Sequence, residues 1–150
     1  MKLNKAYFTA SDLNAIKQAC ECAEENTSGE VKVSIIAKRP RKAAKLNLRD
    51  LALAEFKSIG MHKTRDRTGV LLYILLSERQ FQILADEGIN AKVEQKVWDE
   101  IAIKMAEKFK NGEYLSGVIT AVMQIGEILA GRFPRKSDDT NELSNEVHIT

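Results

Sequence analysis

Four carboxylates and two guanidinium groups stand where this chain bends, and bends carried by a rigid scaffold are where binding and catalytic groups concentrate. Glu30 closes the turn Thr27-Ser28-Gly29-Glu30. Asp66 lies inside Thr64-Arg65-Asp66-Arg67-Thr68, and Asp86 and Glu87 open Asp86-Glu87-Gly88-Ile89. Calcium takes about six to eight oxygen ligands from carboxylates, carbonyls and water. Glu30, Asp66, Asp86 and Glu87 are therefore candidate ligands for calcium or another divalent cation, joined by Asp138 and Asp139 if the C-terminal segment folds back. Arg65 and Arg67 are the matching candidates for an anion. The plainer alternative is that Asp86 and Glu30 cap backbone amides or pair with Arg65 and Arg67. No EF-hand spacing is present. Zinc is not expected, because His62 is the one non-terminal histidine and no cysteine pair has ligand spacing.

Phosphate-ester hydrolysis would need an activated nucleophile and stabilisation of the phosphoryl charge. No Cys-x5-Arg occurs, since Ser28 stands six residues after Cys22, and no Asp-x-Asp occurs at a strand end. The stretch from Gly112 to Gly117 lacks the lysine of a phosphate loop. What remains is a metal-activated water near Asp86 with Arg65 or Arg67 on the phosphate, and no side chain is assigned as catalytic. Cys20 and Cys22 point about 200° apart on a helix, so they do not pair with each other there. Cys20 continues the apolar series Leu13, Ile16, Cys20, Ala23 and reads as core.

The elements that position these groups follow from local pattern. Thr9 caps a helix with Asp12 reaching back and Phe8 stapling onto Leu13; it runs to about Asn26. Val31 to Ala37 reads as a strand, and Pro40 keeps the next segment in a loop. Ala43 to Ile59 is a helix with Leu48, Leu51, Ala52, Phe56 and Ile59 on one face and Gly60 in the place of a terminating glycine. Gly69 to Leu76 is apolar throughout, as a strand covered on both faces should be. Ser77-Glu78-Arg79 turns the chain into a third strand, Gln80 to Asp86. Val93 to Phe109 is helical, with a break near Glu94, and Leu115 to Leu129 is the last long helix, stopped by Pro134. Trp98 reads as core.

Strand directions then sort the charges. The first two strands flank a helix and should be parallel with a right-handed crossover; the third returns antiparallel. One edge of the sheet collects Lys38, Arg39, Arg41, Lys42, Lys45 and Arg79. The opposite edge collects the three segments that hold Glu30, Asp66 and Asp86. Those segments are distant in sequence and expected to be neighbours in space.

The bulk numbers agree with one domain. The chain has 150 residues, 44% hydrophobic and 29% charged, ordinary for a globular fold. Net charge is +2, divided between a body of +6 and a tail of −4, because no Lys or Arg follows Arg135-Lys136. Residues 1–136 are read as the folded domain and 137–150 as an acidic tail partly packed on it, with Asp138 to Leu143 ordered and the last residues fraying. The basic loop lacks interleaved aromatics, so nucleic acid is not expected as a partner, whereas a protein partner is open. The longest apolar run, Val70 to Leu76, is too short to span a membrane. Met1 to Leu13 shows no apolar signal region, and a cytoplasmic location is expected.

The same segments carry a resemblance. Thr27 to Glu30, Gly60 to Leu71, Asp86 to Ile89, Trp98-Asp99, Phe133-Pro134 and Asp138-Asp139-Thr140-Asn141-Glu142-Leu143 together resemble the short, soluble form of the TPM domain. That family takes its name from thylakoid lumen, photosystem II repair and worm receptor modulator proteins. The likeness runs from about Phe8 onward and rests on the order and spacing of the elements. Thr68 departs from a pattern that often has Asn there. The resemblance implies a three-layer α/β/α sandwich around a small mixed sheet, Rossmann-like in outline. Some relatives bind calcium, and a plant relative has been assigned acid phosphatase activity. The function it implies is a binding or regulatory module with a calcium site at one acidic edge, the alternative being a weak metal-dependent acid phosphatase. Relatives often carry a signal peptide and a membrane anchor, neither of which is read here.

Overall fold

A computed structural model describes residues 7–64, 66–135 and 145–150. Helix α1 (Ala10–Glu24) starts at a reciprocal cap: the Asp12 amide donates to Thr9 Oγ1 at 3.0 Å and the Thr9 amide to Asp12 Oδ2 at 2.9 Å. Strand β1 (Glu30–Ile36) follows, then α2 (Leu48–Ser58), β2 (Gly69–Leu75), β3 (Gln80–Ala85), a short α3 (Glu87–Asn90), α4 (Gln95–Lys110), α5 (Tyr114–Arg132) and a two-residue β4 (His148–Ile149). The sheet order is β3-β2-β1-β4, with β1 parallel to both β2 and β4 and β3 antiparallel to β2.

The sheet divides the core into two layers. Helices α1, α4 and α5 cover one face, over Ile16, Val33, Leu72, Ile83, Trp98 and Ile125. Helix α2 and the turn Met61–Lys63 cover the other, over Ile36, Leu71, Tyr73 and Leu84. Every residue of β2 is buried, as its unbroken apolar run requires of a central strand. The result is a three-layer α/β/α sandwich on a mixed sheet. Helix α5 is long and apolar enough to cross a bilayer by length and composition alone; here Val118, Val122, Ile125 and Leu129 are buried in the core.

Two sequence expectations need correction. Helix α2 begins at Leu48 rather than Ala43, because Asn47 caps it by accepting from the Asp50 amide at 2.8 Å. Ala43 instead ends a 3-10 turn, where its carbonyl accepts from Arg39 Nη1. The last residues, expected to fray, are paired with β1. The Thr150 amide donates to the Ile35 carbonyl and the Ala37 amide to the Thr150 carbonyl, adding a fourth strand to the expected three. Side chains far away in sequence hold that segment: Lys17 pairs with Glu146 at 2.7 Å and Asn145 Nδ2 donates to Glu24 at 3.0 Å. The expectation for Asp138 to Leu143 lies outside the described residues.

Candidate functional site

The three bend segments meet at one edge of the sheet. The Glu30 amide donates to the Thr68 carbonyl at 3.0 Å, the Asp86 amide to the Gly69 carbonyl at 2.9 Å, and the Gly88 amide to the Arg67 carbonyl at 2.9 Å. Gly88 is required by the fit: a Cβ there would lie 2.5 Å from the carbonyl oxygens of both Asp66 and Arg67, closer than packed atoms tolerate. A fourth segment joins them. The Ser28 amide and the Thr27 hydroxyl both donate to the Phe133 carbonyl, and Thr27 bridges to Pro134, so the end of α5 closes over the turn before β1. The basic group around Arg39 and Arg79 lies at the far edge, where Arg39 makes a two-point pair with Glu78 at 2.8 and 2.9 Å.

Within this edge the carboxylates have different lots. Asp86 is buried, and Arg67 donates to both of its oxygens at 2.8 and 2.9 Å. Asp86 Oδ1 also accepts from the Glu87 amide at 2.7 Å and so caps α3. Arg67 reaches this geometry from a left-handed backbone, φ 55°, and also approaches Glu87 at 3.4 Å. The contact with Asp86 holds the guanidinium above its ordinary pKa. Glu30 is buried at the start of β1, Glu87 is exposed, and Asp66 is exposed on the loop before β2. Arg65, Asp138 and Asp139 lie outside the described residues. Among the described residues no three acidic, histidine or cysteine side chains converge as a metal-holding group.

At this edge a pocket of about 400 Å³ opens, lined by Ser28, Asp66, Thr68 and Gly88 together with Lys92, Arg132 and Arg135. Lys92 Nζ sits 5.0 Å from the centre of the Phe133 ring, and Arg132 Nη1 donates to the Lys92 carbonyl at 2.8 Å. Among the described residues neither Lys92 nor Arg132 has an ion-pair partner. Arg135 Nη1 reaches the Glu24 carbonyl at 3.4 Å. The Glu24 carboxyl is buried next to the site and accepts from the Val31 amide at 2.7 Å. Burial pushes its pKa up to about 7 against the opposing pull of the Val31 and Asn145 hydrogen bonds.

Sequence reasoning missed this cationic wall. Lys92 follows α3, and Arg132 and Arg135 flank the Phe133-Pro134 helix end. Their convergence depends on where α5 stops. The one available signal was the pair of arginines bracketing a helix-ending proline opposite an acidic bend.

Comparison with known proteins bears on this same framework. A family model for the TPM domain matches residues 2–128. This chain belongs to the TPM domain family. As a TPM domain it is similar, at 31% identity and a TM-score of 0.86 over 100% of both chains, to the BA42 protein of the psychrophilic bacterium Bizionia argentinensis, solved by NMR. The N-terminal domain of a P. gingivalis protein shares the fold at 16% identity, with a TM-score of 0.68 over 87% of this chain and 81% of that one. No curated protein matches the chain.

Proposed function

We propose that this TPM domain is a binding module whose pocket takes an anionic group, phosphate or carboxylate, together with a divalent cation at Asp66. The observation that carries this reading is the pairing of unlike charges in one cavity. Lys92 and Arg132 line the pocket without a carboxylate partner among the described residues, and Asp66 lines the same pocket. Uncompensated cations attract an anion.

The residues fit calcium or magnesium in a limited way. Asp66, Ser28 and Thr68 offer oxygen donors, fewer than the about six to eight that calcium takes. They suit a cation that shares its shell with water and the bound anion, and they do not build a closed protein cage. Asp86 contributes little to such a shell while Arg67 and the Glu87 amide occupy its oxygens.

A second reading, metal-dependent phosphomonoester hydrolysis, is favoured by the same juxtaposition of Asp66 with three cations. A metal would activate water and the cations would stabilise phosphoryl charge. Isotope-labelled protein titrated with inorganic phosphate, with and without calcium, tests the binding reading. Shifts should centre on Ser28, Thr68 and Lys92 and should strengthen with calcium. A metal-dependent phosphomonoesterase rate abolished by Asp66→Asn would favour the hydrolase; binding without any such rate favours the module.

A further inference from the structure

Strand β3 is an outer strand of the sheet, and side-chain amides close part of its free backbone. Because the Asp86 amide bonds to Gly69, ladder bonds fall on alternate residues Leu84, Gln82 and Gln80, and Phe81, Ile83 and Ala85 turn their backbone groups outward. The Ala85 carbonyl accepts from Asn90 Nδ2 at 2.8 Å and the Ile83 carbonyl from Gln95 Nε2 at 2.9 Å. Among the described residues nothing closes Phe81. An open edge position is a template for another strand unless it is covered or charged.

That opening coincides with an apolar groove of about 320 Å³ between α2 and α4, lined by Leu48, Phe81, Ala102, Ile103 and Ala106. Its floor is fixed, since the Phe81 ring packs edge-on against Phe109 with centroids 4.7 Å apart. Its wall carries Ile103, which is 61% exposed, the most exposed large hydrophobic residue described. Single exposed apolar residues need no explanation, but this one extends a concave apolar surface next to an uncapped strand.

Arg79 lines the groove together with Asp99, whose Oδ1 accepts from Gln95 Nε2 at 3.0 Å. Beyond the groove the surroundings are basic. Arg39 ties the neighbouring loop to the hairpin turn, pairing with Glu78 while donating to the carbonyls of Ala43 and Leu46. This anchors Arg41, Lys42 and Lys45, all exposed, beside the hairpin. Their charge is complementary to an acidic partner, and like-charged partners are rejected.

We infer that this groove docks an extended acidic segment of a partner protein, which adds to β3 at Phe81 and seats one apolar side chain against Leu48 and Ile103. Backbone bonds to an open strand edge and a pocket for one side chain are the two elements of strand-addition recognition. The acidic flanks of the segment face Arg79, Arg41 and Lys45.

The test uses the full isotope-labelled chain and two synthetic heptapeptides with a central leucine, one flanked by glutamates and one by lysines. The acidic peptide should shift the amides of Phe81, Ala102 and Ile103, bind at least tenfold tighter than the basic one, and weaken with salt. Ile103→Glu should reduce that affinity at least tenfold with an unchanged melting temperature, since the side chain is exposed. The inference is overturned by equal binding of the two peptides, by shifts centred on Lys92 and Arg132 instead, or by an undiminished response in Ile103→Glu. Binding of phosphatidylserine vesicles through these residues, with no peptide response, would overturn it in favour of a lipid surface.

Discussion

Replacing Glu24 by glutamine should remove a pH dependence of stability that the native chain carries. Its carboxyl is buried between α1 and β1, and its pKa rises from the ordinary 4.5 to about 7 because burial disfavours the charged form. Nearby Glu30 pushes in the same direction, while the Val31 and Asn145 hydrogen bonds and Arg135 oppose it. The folded state therefore holds this proton where the unfolded state releases it. Stability from this group is fully present below pH 4.5 and is lost as pH rises through about 7. One pKa unit is about 1.4 kcal/mol, so the loss amounts to about 3 kcal/mol, or roughly 6–12 °C in melting temperature for a chain of this size. Glu78 and Glu146, held below their ordinary range by Arg39 and Lys17, act in the opposite sense, but only below pH 4.5. Glutamine keeps an oxygen for the Val31 amide and cannot ionise. Denaturant unfolding at intervals from pH 5 to 8 should show native stability falling with pH and Glu24→Gln nearly flat. The two histidines are common to both proteins and cancel in the difference. Parallel curves for the two proteins would refute the assignment of a buried, proton-holding carboxyl to this position.

Other consequences are as direct. Gly88→Ala should destabilise the chain by about 1–3 kcal/mol, because its Cβ would collide with two carbonyl oxygens. Gly131→Ala, with nothing within 4 Å of its Cβ, should be neutral or stabilising in the same melting experiment. One thiol should react with a thiol reagent in the native protein and two in denaturant. Cys22 is exposed, whereas Cys20 is buried with its pKa pushed up to about 12; fast reaction of both native thiols would contradict the packing of α1.

What was legible in the sequence was what local chemistry and chain direction decide. The cap at Thr9 and Asp12 forms within one helical turn, and β2 announces itself by an unbroken apolar run. The meeting of the Thr27, Thr64 and Asp86 segments follows from strand direction alone. The rest depends on distant partners. His148-Ile149 has no strand signature of its own; it becomes a strand because Lys17 and Glu24 hold its neighbours from α1. The types of Arg67 and Asp86 were plain, but that the carboxylate pairs with Arg67 rather than standing open to a metal ion goes with the left-handed turn at Arg67. The cationic wall of the pocket draws on Lys92, Arg132 and Arg135, whose charges no periodicity groups together.

Isothermal titration of the native chain and of a Lys92→Ala/Arg132→Ala variant with inorganic phosphate, in the presence of calcium, tests the central claim most directly. Both side chains line the pocket without an ion-pair partner among the described residues, so the variant should fold and should lose phosphate binding at least tenfold. Binding unchanged in the variant, or no phosphate binding by the native chain with or without calcium, would contradict the assignment of this pocket as an anion site.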